Sequence, residues 1–235
     1  MEKIIGTLNE TAIHSALKSY FEPDTAFHEV EFLGYVADVK RDDKIYEIQS
    51  RSFYKLKKKL SAFLEAGCDV TVVYPMIRKK RLIHVDVETG EIVRTRMSPK
   101  SVKLPDMFCE LVYLSDFLPL PGFSVAAVSL DAEVYKKCSS RGSKKGNADR
   151  LDCIPTEILE SIAFSSADDY RALLPLSELE TPFTASDLAA VIGCRVESAR
   201  SMLLVLRKLG IVEKLDEREK KTRRAIFRVL PKEAE

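Results

Sequence analysis

An α/β chain in two domains is the fold class this sequence predicts. Three observations carry it: apolar periodicity that switches from helical to alternating and back, a short nearly all-apolar run bounded by turn residues, and a late basic, glycine-containing stretch followed by a second helical segment. Asn9 to about Phe21 reads as the first helix, with Asn9 as cap and Ile13, Ala16, Leu17 and Tyr20 as its apolar stripe. Pro23 ends it. From Ala26 to Ser50 the pattern alternates, through Val30 and Phe32, Tyr35 to Val39, and Ile45 to Ile48, with breaks at Gly34 and at Arg41-Asp42-Asp43-Lys44. That is a three-stranded meander. A second helix spans Ser52 to Ala66, with Phe53, Leu56, Leu60, Phe63 and Leu64 on one face and Gly67 as the stop. Val70 to Pro75, short, β-branched and apolar, reads as a buried strand.

Arg81 to Val87 and Glu91 to Met97 read as a hairpin turning at Thr89-Gly90, Asp106 to Leu118 as a helix, and Phe123 to Leu130 as a strand. The expected partition is a first domain over 1–135, a basic linker over 136–150 and a second domain over 151–235. The linker KKCSSRGSKKGNADR holds six basic residues against one acid. In the second domain, helices are expected at Thr156 to Phe164, Ala167 to Leu174, Ala185 to Ile192 and Val196 to Leu209, then strands near Ile211 to Leu215 and Ala225 to Leu230. Paired helices turning at Gly193-Cys194-Arg195, followed by a two-stranded hairpin with a charged tip, have the order of a winged helix-turn-helix domain.

Composition narrows the function classes. A chain of 235 residues with 46% hydrophobic and 31% charged residues has the material for a packed core, and its net charge of +1 requires any nucleic-acid surface to be local. Five cysteines without C-x-x-C spacing argue against a disulfide framework and a zinc ribbon, so a reducing cytoplasm is the expected location. No signal-peptide core or membrane-length apolar run is present, and a membrane role is not expected. Phosphate-binding, dinucleotide-binding and nucleophile-elbow motifs are absent, so no nucleotide or dinucleotide cofactor is expected. A homodimer stays open.

The hairpin around Asp42 and Asp43 carries the chemistry. With those two at the loop centre, facing residues have numbers that sum to 85, which sets Asp38 opposite Glu47 and Gln49 on Glu47's face. Cross-strand Cβ atoms stand about 4.5–5.5 Å apart, and like charges directly opposite destabilise a hairpin unless a cation lies between them. Two carboxylates and an amide oxygen suit a hard divalent ion. The first strand brings either Glu29 or Glu31 to the same face, and on the first helix Glu10, His14 and Lys18 form a polar i, i+4, i+8 row. The alternative is that Asp38 and Glu47 are solvated residues of a half-exposed hairpin.

Helix, meander with Ala37-Asp38 then Glu47-Ile48-Gln49, helix and buried strand resemble the PD-(D/E)XK nuclease superfamily, in an E-x-Q form, over residues 9 to about 75. H-x-x-L-K, ADV, YEIQS and KL in that order, with a terminal winged helix, resemble an uncharacterised bacterial family of nuclease-like proteins. The resemblance implies a restriction-endonuclease-like core, a mixed sheet flanked by helices. It also implies Mg²⁺, or Mn²⁺, bound by Asp38 and Glu47, with Gln49 at the usual lysine position and Glu10 as the helix acid. Gln49 lacks lysine's charge; a lysine moved onto the next helix, Lys55 or Lys59, is the alternative.

Arg51, Lys55, Lys57, Lys58 and Lys59 cluster beyond the site, Arg195, Arg200, Arg207 and Lys208 lie on or beside the predicted recognition helix, and Arg218, Lys220, Lys221, Arg223 and Arg224 crowd the wing. DNA is the expected partner, contacted by Arg51, Lys55, Lys59, Arg195, Arg200, Arg223 and Arg224. Residues 151–235 nonetheless hold 13 basic against 15 acidic residues, so protein contacts fit the same module. The sequence thus predicts a Mg²⁺-dependent DNA endonuclease or DNA-processing protein. The alternatives are a non-catalytic DNA-binding regulator that keeps the nuclease fold and a protein-interaction scaffold.

Overall fold

Leu17, fully buried, and Ile13 anchor the first helix, α1 (Ala12–Phe21), against the meander that follows. The structure, a computed structural model, describes residues 12–86, 88–138, 150–219 and 223–232, so the expected cap Asn9 lies outside the described residues. The meander forms as expected: β1 (His28–Phe32), β2 (Tyr35–Arg41) and β3 (Lys44–Ile48) pair antiparallel in sequence. Leu33 and Gly34, both at positive φ, make the first two-residue turn, a backbone that matches the twist of the strands it joins.

The second helix begins as a 3-10 turn (Phe53–Leu56) and continues as α2 (Lys57–Glu65). Gly67, at φ +79°, follows its end, in a conformation that costs other residues steric strain. Phe53, Leu60 and Phe63 are fully buried, each contributing roughly 1.5–3 kcal/mol by leaving water.

Beyond this point the strands run longer than expected. The separate strands read at 70–75 and 81–87 are one strand, β4 (Asp69–Asp86), because the polar run Arg78 to Arg81 alternates between faces instead of turning. β4 pairs with β5 (Ile92–Met97) through Arg81↔Met97, Leu82↔Arg96 and His84↔Arg94, the hairpin expected at Thr89-Gly90. α3 (Leu104–Leu111) is shorter than the expected helix and passes into a 3-10 turn at Val112–Leu114. β6 (Phe123–Cys138) extends into the expected linker, of which 139–149 lie outside the described residues.

The helix expected at Thr156 to Phe164 is a strand, β7 (Arg150–Phe164). Its Ile154, Ile158 and Ile162 are spaced by four, which fits a helix turn and a strand face equally. Pairing in the sheet decided for the strand, where β-branched residues and Pro155 are better tolerated than in a helix interior. The result is a mixed α/β fold with one seven-stranded sheet, ordered β1-β2-β3-β4-β6-β7 with β5 paired to β4.

The last helices form as expected. α4 (Ala167–Ala172) and α5 (Ala185–Ile192) both begin with capping boxes, Ser166 with Asp169 and Thr184 with Asp187. α6 (Val196–Lys208) follows, then the antiparallel hairpin of β8 (Val212–Arg218) and β9 (Ala225–Val229).

Two compact units result. The first holds 1–48, 73–103 and 127–162; the second holds 49–72, 104–126 and 163–235. Within the second unit α6 packs on both α5 and α3, with Phe108 and Leu111 of α3 and Ala199, Met202 and Leu206 of α6 all fully buried. The apolar stripe on α6 finds its partner on α3. No described helix is long and apolar enough to cross a membrane.

Candidate functional site

β2 and β3 pair through Val39↔Tyr46, Lys40↔Ile45 and Arg41↔Lys44, numbers that sum to 85. Carried one step past Val39↔Tyr46, that sum would set Asp38 opposite Glu47. Asp38 is half-buried and Glu47 is only 2% exposed. The Ile48 backbone N–H donates to Asp38 Oδ2 at 2.7 Å, which fixes that carboxylate against β3 and leaves its second oxygen for another donor or a cation. Two carboxylates at facing positions, one out of solvent, require positive charge or several hydrogen bonds to offset desolvation and mutual repulsion.

α1 supplies one such charge. β1 pairs with β2 through His28↔Val39 and Val30↔Ala37, so position 29 opposes Asp38, whereas Glu31 opposes Val36. Of the two acids left open by the sequence, Glu29 is therefore the one beside Asp38. It takes a positive φ of 51°, and its Oε1 accepts from Lys18 Nζ at 3.0 Å. The Lys18 side chain is 6% exposed against 60% for Glu29, so a buried ammonium reaches the acidic meander from the helix that packs on β2 and β3. Sequence reasoning placed Lys18 in a polar row and missed this role. The signal available was its position next to Leu17 on the apolar stripe. His14 is half-buried, and Glu10 lies outside the described residues.

At the end of α1, Arg41 Nη1 donates to Glu22 Oε2 at 3.0 Å. The Asp24 backbone N–H, also bonded to Glu22, joins Arg41 in holding the Glu22 carboxyl below its ordinary range. This second ion pair clamps the helix end to β2.

Gln49 follows the last residue of β3 and belongs to the second unit, where its Nε2 donates to the Arg51 carbonyl. In that unit Arg51 and Lys55 are exposed, and Lys59 is half-buried with its Nζ 5.9 Å from the Phe63 ring centre. Among the described residues, no group of three or more His, Cys, Asp or Glu could hold a metal. Asp38 and Glu47 are thus the protein donors on which a cation at this hairpin would depend, the remaining positions falling to water.

The C-terminal basic residues are placed individually. Arg195 lies 3.6 Å from Asp106 Oδ1, Arg200 is exposed, and Arg224 Nη1 donates to Ser186 Oγ at 3.0 Å. Arg223 is exposed at the hairpin tip with φ +58°, next to residues 220–222, which lie outside the described residues. Lys208 bonds Asp116 at 2.8 Å and pulls that carboxyl below the usual aspartate range. Packing on α3 and α5 buries much of α6 and leaves Glu197, Arg200, Leu204, Arg207 and Lys208 exposed.

Residues 11–165 match the family described as a domain of unknown function (DUF8091). That span runs from the start of α1 to one residue beyond β7. A Treponema pallidum (strain Nichols) protein described as uncharacterized is 32% identical over 213 residues, covering 88% of this chain and 81% of that protein. No solved structure gives a significant match.

Proposed function

This chain belongs to the family described as a domain of unknown function (DUF8091), and for it we propose DNA processing by divalent-cation-dependent phosphodiester hydrolysis. Asp38 and Glu47 hold the cation, Mg²⁺ or Mn²⁺. What supports this most is the β2–β3 register, which, extended by one pair, would face Asp38 with Glu47, the latter shielded from solvent. A bound cation would offset their repulsion, lower the pKa of an attacking water and take up charge on the leaving oxygen. Asp38 keeps one oxygen turned to the Ile48 amide, so it approaches the cation with a fixed orientation. Lys18, on the helix packed against the meander, takes over the cationic role that the superfamily resemblance assigns to the position of Gln49. In this reading α1, β1 to β3, α2 and β4 make a restriction-endonuclease-like core, and α5, α6, β8 and β9 a winged helix.

A second reading keeps DNA binding without turnover. It is favoured by the commitment of the Gln49 amide to Arg51 and by the small donor set.

The test is incubation of the full chain with single-stranded, duplex and branched DNA in Mg²⁺ or Mn²⁺. We expect weak cleavage that Asp38→Asn and Glu47→Gln each reduce by about 10³-fold, the loss of several kcal/mol of charge stabilisation, with circular dichroism unchanged. Absence of cleavage of every substrate with both metals overturns the hydrolytic reading in favour of the second.

A further inference from the structure

The run Arg78-Lys79-Lys80-Arg81 on β4 divides its charges between the two faces of the sheet. Lys79 and Arg81 meet acids two residues apart on β6: Lys79 Nζ lies 3.9 Å from Asp131 Oδ2, and Arg81 Nη1 lies 3.2 Å from Glu133 Oε1. Both pairs share a sequence offset of 52, which means that β4 and β6 run parallel and fixes their register. The same offset brings position 84 beside position 136.

Alternation then puts Arg78, Lys80 and His84 of β4 on the opposite face. β5 adds Arg94, directly across from His84, and Arg96, across from Leu82; β6 adds Lys136. Burial, with Arg94, Arg96 and Lys136 nearby, holds the His84 pKa below its ordinary value. Among the described residues none of Arg78, Lys80, Arg94, Arg96 or Lys136 makes an ion pair. Arg78, Arg94 and Arg96 are exposed.

We propose that this face, carrying Arg78, Lys80, Arg94, Arg96 and Lys136, is a contact surface for the phosphate backbone of duplex DNA. The proposal rests on the DNA reading above and deepens it by naming the surface. Arg78 to His84 spans about 20 Å of strand at roughly 3.4 Å per residue, a length over which duplex DNA presents about twelve negative charges. Arg94 and Arg96 stand about 7 Å apart on the same face and offer planar forks suited to phosphate oxygens. Among the described residues of β4, β5 and β6 no aromatic ring is exposed for an unpaired base to stack on, which favours backbone contact with a duplex over single-strand binding.

The test is a duplex-DNA titration of the full chain between about 50 and 200 mM salt, a range used because phosphate contacts release counterions. Each contact contributes about −0.9 to the slope of log K against log salt, so Arg94→Gln with Arg96→Gln should flatten the slope by about two units. Over this fourfold range wild type should then lose roughly tenfold more affinity than the double variant. Lys79→Gln with Arg81→Gln, on the paired face, should leave the slope nearly unchanged. If wild type binds DNA and the Arg94/Arg96 variant keeps its affinity and slope, this face is overturned while the DNA reading stands. If both double variants flatten the slope equally, total charge governs binding and the face is again overturned. If wild type binds no duplex but captures an acidic protein through these arginines, both the face and the DNA reading fall.

Discussion

Two hairpins in the first unit handle charge in opposite ways. The β2–β3 hairpin carries Asp38 and Glu47 and buries the latter, so its charges must be compensated within a few ångströms. The β4–β5 hairpin holds Arg94 and Arg96 in solvent, where water meets their needs and their field reaches outward. Buried charge of one sign makes a site for a small ion or a reaction, whereas exposed charge of one sign makes a surface for a large partner.

The largest expected effect lies at the acidic hairpin. Saturating Mg²⁺ at about 100 times its dissociation constant should raise the unfolding free energy by about 2.7 kcal/mol, seen as a higher Tm that chelation reverses. Glu47→Gln should abolish that increment. A Tm indifferent to Mg²⁺ would break the comparison at its acidic end.

Next is Lys18→Met, which keeps the buried volume and removes the ammonium. Because Glu29 is 60% exposed and can regain water, we expect a stability loss below about 1 kcal/mol by denaturant titration. DNA cleavage should fall far more than stability. Equal losses would make Lys18 a structural ion-pair partner alone.

At the basic hairpin, Arg94→Gln and Arg96→Gln should each change stability by no more than about 0.5 kcal/mol, since both are exposed. A larger drop would mean that their stems pack structurally.

The smallest effect is the pH dependence of His84. Its folded-state pKa is held below the ordinary 6.5, first by burial and then by Arg94, Arg96 and Lys136, so the unfolded chain binds the proton more readily. Its contribution is therefore fully present above about pH 6.5 and is lost as pH falls through the depressed folded value. His84→Gln should flatten Tm over that interval, and variants lacking Arg94 and Arg96 should partly do so.

The turn of the acidic hairpin was legible because a two-residue turn fixes register: with Asp42 and Asp43 at the loop, the pairs from Arg41↔Lys44 to Val39↔Tyr46 followed. The paired helices α5 and α6 were legible for a similar local reason, since the Thr184 cap and the Gly193 turn are written in adjacent residues. β7 was not, because spacing by four is shared by the two periods and only pairing with a distant strand chose between them. The basic face escaped for the same reason. Arg78 to Arg81 reads as one patch in sequence, and only Asp131 and Glu133, some fifty positions later, show which half is neutralised. Lys18 was hidden by its type, since a lysine beside an apolar stripe is usually a snorkelling surface residue.

β5 carries a further consequence. All six of its residues are exposed, including Ile92, Val93 and Met97 at 62, 57 and 54%, and among the described strands it pairs with β4 alone. Its other edge thus offers free backbone donors and acceptors flanked by apolar side chains, a template on which a second copy of the strand would add and propagate into aggregates. Arg94 and Arg96 sit inside that segment, and charge in such a strand is a common guard against self-association. The same two arginines that we assign to DNA would then also keep the chain soluble while DNA is absent.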